Sequence, residues 1–225
     1  MDDHAADPTR PLRRTDRTTP RRAERSAYDR ALAYESLDEG AIAHVGISVD
    51  GQPFVVPMAY GRSGDELFLH GSVATRLARV MGEGAAVCVT VTLLDGLVAA
   101  KSQFHHSMNF RSIVVLGRAR RLLDDEAERA LERIVDHTLP GRCDETRPPN
   151  RVELRQTAVF AVMIDEASIK TRSGGPVDEP EDLDPDVWSG EIPLRLAALP
   201  AIPDTNTAPT APLAASVAAA LAKFA

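Results

Sequence analysis

The sequence predicts a mainly β protein, a small barrel of six or more antiparallel strands with short peripheral helices. Runs such as AVCVTVTLL, SIVVLG and QTAVFAVMI are rich in β-branched residues, which is typical of strands. Asp50-Gly51 and Ser63-Gly64 are hairpin signals between the first strands. Because strand and helix do not alternate steadily, a parallel α/β sheet is not expected.

The first elements follow from a change of periodicity near residue 40. Residues 23–38 place Tyr28, Leu32 and Leu37 near one helical face, and Gly40 follows as a stop signal. An antiparallel meander of three strands is predicted next, at residues 41–49, 53–60 and 66–70.

A short helix is predicted after the third strand, with Ser72 as its N-cap. A longer helix is predicted from Asp124, as its cap, to Pro140-Gly141. Further strands are predicted at residues 85–102, with a bend at Asp95-Gly96, at 110–124 and at 156–172.

The two ends of the chain differ in composition from the middle. Residues 1–22 have almost no apolar side chains and are predicted to form a disordered arm. Residues 196–225 are a low-complexity tail rich in Pro and Ala, with one alanine-rich helix at the end. The functional domain is therefore expected within residues 23–195.

The net charge of the chain indicates which kinds of binding partner to expect. Net charge is -7 and the isoelectric point is about 5.4, whereas nucleic acid and membrane surfaces select basic proteins. A small-molecule ligand is the expectation. Cys88 and Cys143 show no disulfide or zinc spacing, and the apolar runs are too short to span a membrane, so a cytoplasmic protein is predicted.

The junction at residues 69–76, LHGSVATR, has the residues that a phosphate requires. Gly71 permits close approach to the backbone, Ser72 and Thr75 supply hydroxyls, and Arg76 supplies two donors. An ordinary capped helix with a surface arginine would have the same spacing, and the residues alone leave both readings open.

Three weaker features could also contribute to a ligand site. Pro57 lies inside a predicted strand, where it leaves a neighbouring backbone group unpaired. Ser112 begins another strand, on the face opposite Arg111. Trp188 is the only tryptophan and sits in an acidic, proline-rich segment, which predicts that it docks onto another surface.

The histidines form no metal-binding pattern. His105 and His106 are adjacent, so in an extended segment they would project to opposite faces. His44, His70 and His137 are scattered, without HxH or HExxH spacing. No metal site is predicted, and His105 and His106 are expected to shape a connection between strands.

Taken in order, these segments resemble the pyridoxamine 5'-phosphate oxidase-like family of FMN-binding split β-barrels, in particular its flavin-nucleotide-binding, nitroimidazole-reductase-like branch. The resemblance covers about residues 23–195 and rests on AIAHVGISVDGQPFVVPMAYG, LFLHGSVATR, AVCVTVTLLDGLVAAKS, FHHSMNFRSIVVLG, IKTRSGGP and WSGEIP.

The resemblance implies a homodimer with FMN at the interface and an oxidoreductase that works by flavin hydride transfer. It implies no catalytic side chain, although His70 could donate a proton near the cofactor. A non-catalytic flavin- or haem-binding protein, with His70 or His106 as axial ligand, is the alternative, and a deazaflavin could replace FMN. The implied cofactor residues are Val56, Pro57, Met58, His70, Gly71, Ser72, Thr75, Arg76, Ser112 and, from the partner subunit, Trp188.

The chain also departs from the vitamin oxidases. Those enzymes follow their tryptophan with an arginine, whereas Ser189 follows Trp188 here. They place an Arg-Lys pair at the phosphate, whereas this junction has Arg76 alone. The resemblance therefore does not identify the substrate.

Overall fold

The computed structural model describes residues 7–19, 26–183 and 186–225. Within these residues, two antiparallel sheets and six α-helices form the fold. The helices are α1 (Arg30–Glu39), α2 (Arg76–Gly82), α3 (Asp124–Thr138), α4 (Arg142–Glu145), α5 (Arg151–Gln156) and α6 (Ala215–Lys223). The strands are β1 (Ser26–Ala27), β2 (Ala43–Val49), β3 (Gln52–Met58), β4 (Tyr60–Ser63), β5 (Glu66–Ser72), β6 (Ala86–Ala99), β7 (Ser107–Arg118), β8 (Arg120–Leu122), β9 (Thr157–Met163), β10 (Glu166–Arg172) and β11 (Gly190–Pro193).

The larger sheet has the strand order β1-β10-β7-β6-β2-β3, with β11 paired to the end of β6, and the smaller sheet has the order β4-β5-β9-β8. The chain passes directly from one sheet to the other after β3, β7 and β9, and it passes through α2 after β5. The main core fills the space between the sheets, where alternate residues such as Val45, Val89 and Leu69 are buried. The two sheets do not merge into one closed sheet, and the predicted antiparallel split barrel is confirmed.

The strands are divided between two sheets, which differs from the predicted single meander. The strand expected at residues 53–60 is divided at Ala59, because β3 pairs with β2 in one sheet and β4 pairs with β5 in the other. The runs 110–124 and 156–172 are divided in the same way. The β2–β3 hairpin is confirmed, with φ of +51° at Asp50 and +79° at Gly51. The predicted bend in β6 is confirmed as a register shift between Leu94 and Gly96.

The first two helices begin later than the sequence predicts, and α3 begins one residue earlier. The first starts at Arg30, where the Asp29 side chain accepts a hydrogen bond from the Leu32 amide. Thr75, rather than Ser72, caps α2, because Ser72 still belongs to β5. The α3 cap position is Leu123, which makes no side-chain cap bond.

A second, smaller core lies between α3 and the outer face of the four-stranded sheet. Phe68, Leu122, Val159 and Ile134 are buried there. Gly61 makes this packing possible, since a Cβ at that position would lie 2.6 Å from the backbone of Arg133 in α3. The helix and the sheet therefore meet through backbone contact.

Residues 7–19 pack on the barrel, which differs from the disorder expected for residues 1–22. Leu12 is 3% exposed. Thr15 Oγ1 donates to Glu166 at 2.6 Å, and Arg17 also donates to this carboxylate. These bonds hold the pKa of Glu166 below its usual range. Because the arm is held by hydrogen bonds and ion pairs, its low apolar content did not reveal the packing; residues 1–6 and 20–22 lie outside the described residues.

The C-terminal tail returns to the domain through α6, the helix predicted at the chain end. Ser216 is buried and donates to Glu145, which joins α6 to α4. Among the described helices, none is long and apolar enough to cross a membrane.

Replacement of Arg30 should test the contact that holds α1 to the β4–β5 turn and to the connection between β9 and β10. Its buried side chain pairs with Asp65 and donates to the carbonyls of Arg10 and Ile164. Arg30→Met should lower the free energy of unfolding in urea by about 3 kcal/mol, because a buried carboxylate contact and carbonyls lose their donor. The exposed Arg129→Met is the control, and equal effects of the two changes would contradict this role.

Candidate functional site at the β5–α2 junction

The turn between β5 and α2 is held by one threonine. Thr75 Oγ1 donates to the Ser72 carbonyl at 2.9 Å and accepts from the Ala78 amide at 3.1 Å. Ser72 Oγ accepts from the Ala74 amide at 3.3 Å, so its hydroxyl proton has no acceptor among the described residues. The Thr75 hydroxyl therefore shapes the turn, whereas the Ser72 hydroxyl can donate to a ligand.

The edge of β5 is open at this point. Its pairing with β4 ends at Tyr60 and Leu69, and beyond that pair only β9 pairs with β5 in the described chain. A Cβ at Gly71 would meet only Thr75 Oγ1, at 4.0 Å. A ligand can therefore approach the backbone at Gly71 closely.

Alternation along β5 divides the predicted residues between two faces. His70 and Ser72 share the face of Phe68, towards α3, and Gly71 lies on the opposite face. His70 Nδ1 is buried and has no hydrogen-bond partner in the described structure. Burial lowers the pKa of His70, so its imidazole is neutral near pH 7. A polar group of a bound ligand could form the hydrogen bond that this buried nitrogen lacks.

Arg76 is the cation of the junction. Its guanidinium lies 4.9 Å from the centroid of the Phe54 ring, a cation–π contact between α2 and β3. Among the described residues no carboxylate pairs with it. Arg76 can therefore bind an anion without breaking an existing ion pair.

The β3 segment approaches the same region. Arg76 lies over the Phe54 ring of β3, and β3 ends at Met58, two residues before Tyr60, the last partner of β5 on this edge. Val56 and Met58 lie on the face of Val45, whereas Pro57 lies opposite His44 on the outer face. Val56 is 36% exposed on the edge strand β3.

Ser112 lies in the middle of the larger sheet, on its outer face. Its Oγ is 3.0 Å from Thr92 Oγ1, and the neighbouring row on this face contains Thr90, His44 and Pro57. Sequence reasoning missed His44 and Thr90. Their alternation predicts a surface position, but only strand register places them beside Pro57.

Trp188 is not brought to the junction within one chain. Trp188 precedes β11, and β11 pairs with β6 at Ala99. The contact of β6 with β2 lies towards the other end of β6, at Thr90. Thr90 and Ala99 are nine positions apart along β6, which corresponds to about 30 Å at the rise of a β-strand. The indole is 66% exposed and packs on Gly190.

His105 and His106 lie in the connection between β6 and β7. His106 Nδ1 is 2.8 Å from the Ser102 carbonyl, so this nitrogen carries the proton. His105 Nε2 is 3.9 Å from Glu179. Within the described residues, no cluster of three or more His, Cys, Asp or Glu side chains could hold a metal ion.

The two sheets define a split β-barrel protein, and β5 has an open edge beyond Leu69 in the described chain. A family model described as pyridoxamine 5'-phosphate oxidase matches residues 29–171, more than half of the chain. This chain belongs to the pyridoxamine 5'-phosphate oxidase family.

Solved structures agree with this assignment. The flavocytochrome Anf3 from Azotobacter vinelandii is 38% identical, with a TM-score of 0.84 over 91% of this chain and 96% of that one. A FAD and haem binding protein from Mycobacterium smegmatis is 34% identical, with a TM-score of 0.84 over 87% of this chain and 96% of that one. A putative 5-nitroimidazole antibiotic resistance protein from Bacteroides thetaiotaomicron shares the fold at 24% identity and a TM-score of 0.55, covering 64% and 85% of the two chains. No curated protein sequence matches.

The buried imidazole of His70 should make stability depend on pH. Its folded pKa is below the ordinary value of about 6.5, so protons bind the unfolded chain preferentially and stability falls as pH drops below that value. His70→Gln should reduce the loss in unfolding free energy between pH 7.5 and 5.5, measured by urea denaturation. An unchanged loss would show that His70 does not remain neutral in the fold.

Proposed function

We propose that this protein binds the riboflavin-phosphate portion of a flavin nucleotide at the β5–α2 junction, FMN being the smallest such ligand, and acts as an oxidoreductase. The observation that carries the proposal is the convergence of an open glycine edge, an uncommitted serine hydroxyl and an unpaired arginine beside β3. Family membership and the flavin-binding relatives support it. Residues 23–195 are the proposed flavin-binding domain, followed by the tail at 196–225.

The residues at the junction have distinct proposed roles. Ser72 and the backbone at Gly71 donate to the phosphate, Arg76 neutralises it, and Thr75 holds the turn. Val56, Pro57 and Met58 border the isoalloxazine ring along β3, and Ser112 faces it from the sheet. His70 can exchange a hydrogen bond with the ligand. When bound, the flavin supplies hydride transfer, while the protein positions the reactants and excludes water.

The proposed assembly is a homodimer in which Trp188 reaches the site of the partner subunit. Support comes from the outer face of the larger sheet, where Met108, Leu97 and Ile192 are paired across three strands and are 51%, 40% and 46% exposed. Val55 on the edge strand β3 is 65% exposed. Adjacent apolar side chains of this kind mark an interaction surface.

The proposed substrate is a small molecule in the cytoplasm. The net charge of -7 disfavours nucleic acid, and Cys88 and Cys143 are free thiols, as a reducing compartment requires. Ser189 stands where the vitamin oxidases have arginine, so a substrate other than the vitamin phosphate is proposed.

Arg76→Ala tests the phosphate contact. Loss of a charge-assisted bond should weaken FMN binding by about 1.5–3 kcal/mol, or roughly 10- to 100-fold in Kd, measured by quenching of flavin fluorescence. Arg79→Ala, on the same helix, is the matched control. Equal affinity of the Arg76 variant and the unmodified protein would reject this phosphate site.

Haem binding is a second candidate function, because two similar chains are described as a flavocytochrome and a FAD and haem binding protein. His106 has its Nδ1 engaged by a carbonyl, the arrangement that orients imidazole ligands of metals. His70 is the other candidate ligand.

Addition of haemin to the purified protein should shift and sharpen the broad Soret band of free haemin. His106→Ala should shift or abolish that band if His106 is the axial ligand, and His70→Ala should do so if His70 is. Flavin fluorescence titration, followed in the same samples, separates loss of haem from loss of the fold. A Soret band that stays as in free haemin after addition of the unmodified protein would eliminate the haem function.

A further inference from the structure

Three polar side chains form a row across the outer face of the larger sheet, and this set is called the polar row. Thr92 of β6 is paired with Ser112 of β7, and Ser112 is paired with Lys170 of β10. Paired residues of antiparallel strands project to the same face, and neighbouring strands are about 4.8 Å apart. Two hydroxyl groups and one ammonium group therefore lie side by side.

The two hydroxyl groups of the polar row share one hydrogen bond. Thr92 Oγ1 and Ser112 Oγ are 3.0 Å apart, so one of them donates to the other. Neither hydroxyl has a further partner within the described part of the chain. The hydroxyl that accepts this bond therefore keeps its own proton for a ligand.

The ammonium group of Lys170 lies against an aromatic ring instead of a carboxylate. Its nitrogen is 5.9 Å from the centroid of the Phe110 ring on β7, which is a cation–π contact. Lys170 is exposed, and among the described residues no carboxylate lies within ion-pair distance of it. An anionic ligand can therefore pair with Lys170 without displacing a protein carboxylate.

A second cation lies two residues beyond Lys170 on β10. Arg172 donates to the side-chain oxygen of Asn109 and, at 2.6 and 2.8 Å, to the carbonyls of residues 174–175. All of these acceptors are neutral. Glu191 contacts Asn109, at 2.6 Å from its amide nitrogen, and forms no ion pair with Arg172 in the described chain. This end of β10 therefore carries positive charge.

Sheet order relates the polar row to the proposed flavin position. Pro57 is proposed to border the isoalloxazine ring from β3 and Ser112 to face it from β7, so β2 and β6 lie between them. Lys170 is on the next strand, about 5 Å beyond Ser112. Lys170 therefore lies beside the proposed ring position, whereas the phosphate is assigned to Arg76 on α2.

We propose that the polar row binds the carboxylate of an aromatic acid that stacks on the flavin, so that the substrate is an anion. This inference rests on the proposed function and names the substrate class of the same site. A carboxylate accepts hydrogen bonds from an ammonium group and from hydroxyls, which are the donors that the row presents. Phe110 and Leu94, which is 44% exposed, are paired on the same face and provide an apolar border for the aromatic body.

The test uses benzoate and benzamide, two probes of nearly the same shape that differ in charge. Each is titrated into the full-length protein loaded with FMN, and binding is followed by the change in the flavin absorption spectrum. The unmodified protein should bind benzoate about tenfold more tightly than benzamide. Lys170→Met should weaken benzoate binding by about tenfold, because a charge-assisted bond is lost, and should leave the affinities for benzamide and FMN unchanged.

Two further variants locate the effect. Thr92→Val should weaken benzoate binding by a smaller factor, because a neutral hydroxyl makes a weaker bond than an ammonium group. Arg129→Met removes an exposed positive charge from α3 and should change neither affinity, which separates a local contact from the overall charge of the protein.

The outcomes distinguish this inference from the proposed function. Equal affinities of the unmodified protein for benzoate and benzamide, or unchanged benzoate binding in Lys170→Met, would overturn the substrate class while the flavin site stands. Weaker FMN binding in Lys170→Met would show that the ammonium group contacts the flavin itself, and would also overturn it. Failure of the unmodified protein to bind FMN would overturn the proposed function and this inference with it.

Discussion

The fold depends on the buried guanidinium of Arg30. It links the start of α1 to the β4–β5 turn at Asp65, to the end of β9 at the Ile164 carbonyl and to the N-terminal arm at the Arg10 carbonyl. These segments meet where the chain leaves the four-stranded sheet for the larger one. Because a buried cation requires several acceptors at once, the arrangement of the two sheets at this corner is narrowly defined.

The same corner orients the strands that carry the candidate site. β5 and β9 begin and end beside the Arg30 contacts and run antiparallel from there to Ser72 and Thr157. Their register places His70 next to Val159 and Ser72 next to Thr157. At the other edge of β5, the early end of β4 leaves the backbone at Gly71 accessible. Core packing thus positions residues whose side chains serve no packing role.

Different parts of the site were predictable to different degrees. Gly71, Ser72, Thr75 and Arg76 are neighbours in sequence, so their combination could be recognised without a structure. The polar row combines Thr92, Ser112 and Lys170, which come together only when β7 pairs with β6 and β10. The N-terminal arm escaped prediction for a related reason, because its acceptor Glu166 lies far along the chain.

The sequence by itself determined the β-rich class, the β2–β3 hairpin and the bend in β6, since each depends on alternation or on a glycine turn. It also identified the candidate junction at residues 69–76, whose ligand remains a proposal. Only the tertiary structure decided how single apolar runs divide between two sheets, which face receives His70, and that Trp188 lies at the far end of β6. The physical reason is that strand register and buried ion pairs are set by contacts between distant segments. The local sequence pattern specifies a strand or a helix. Which strand it pairs with depends on the burial of apolar side chains from distant parts of the chain.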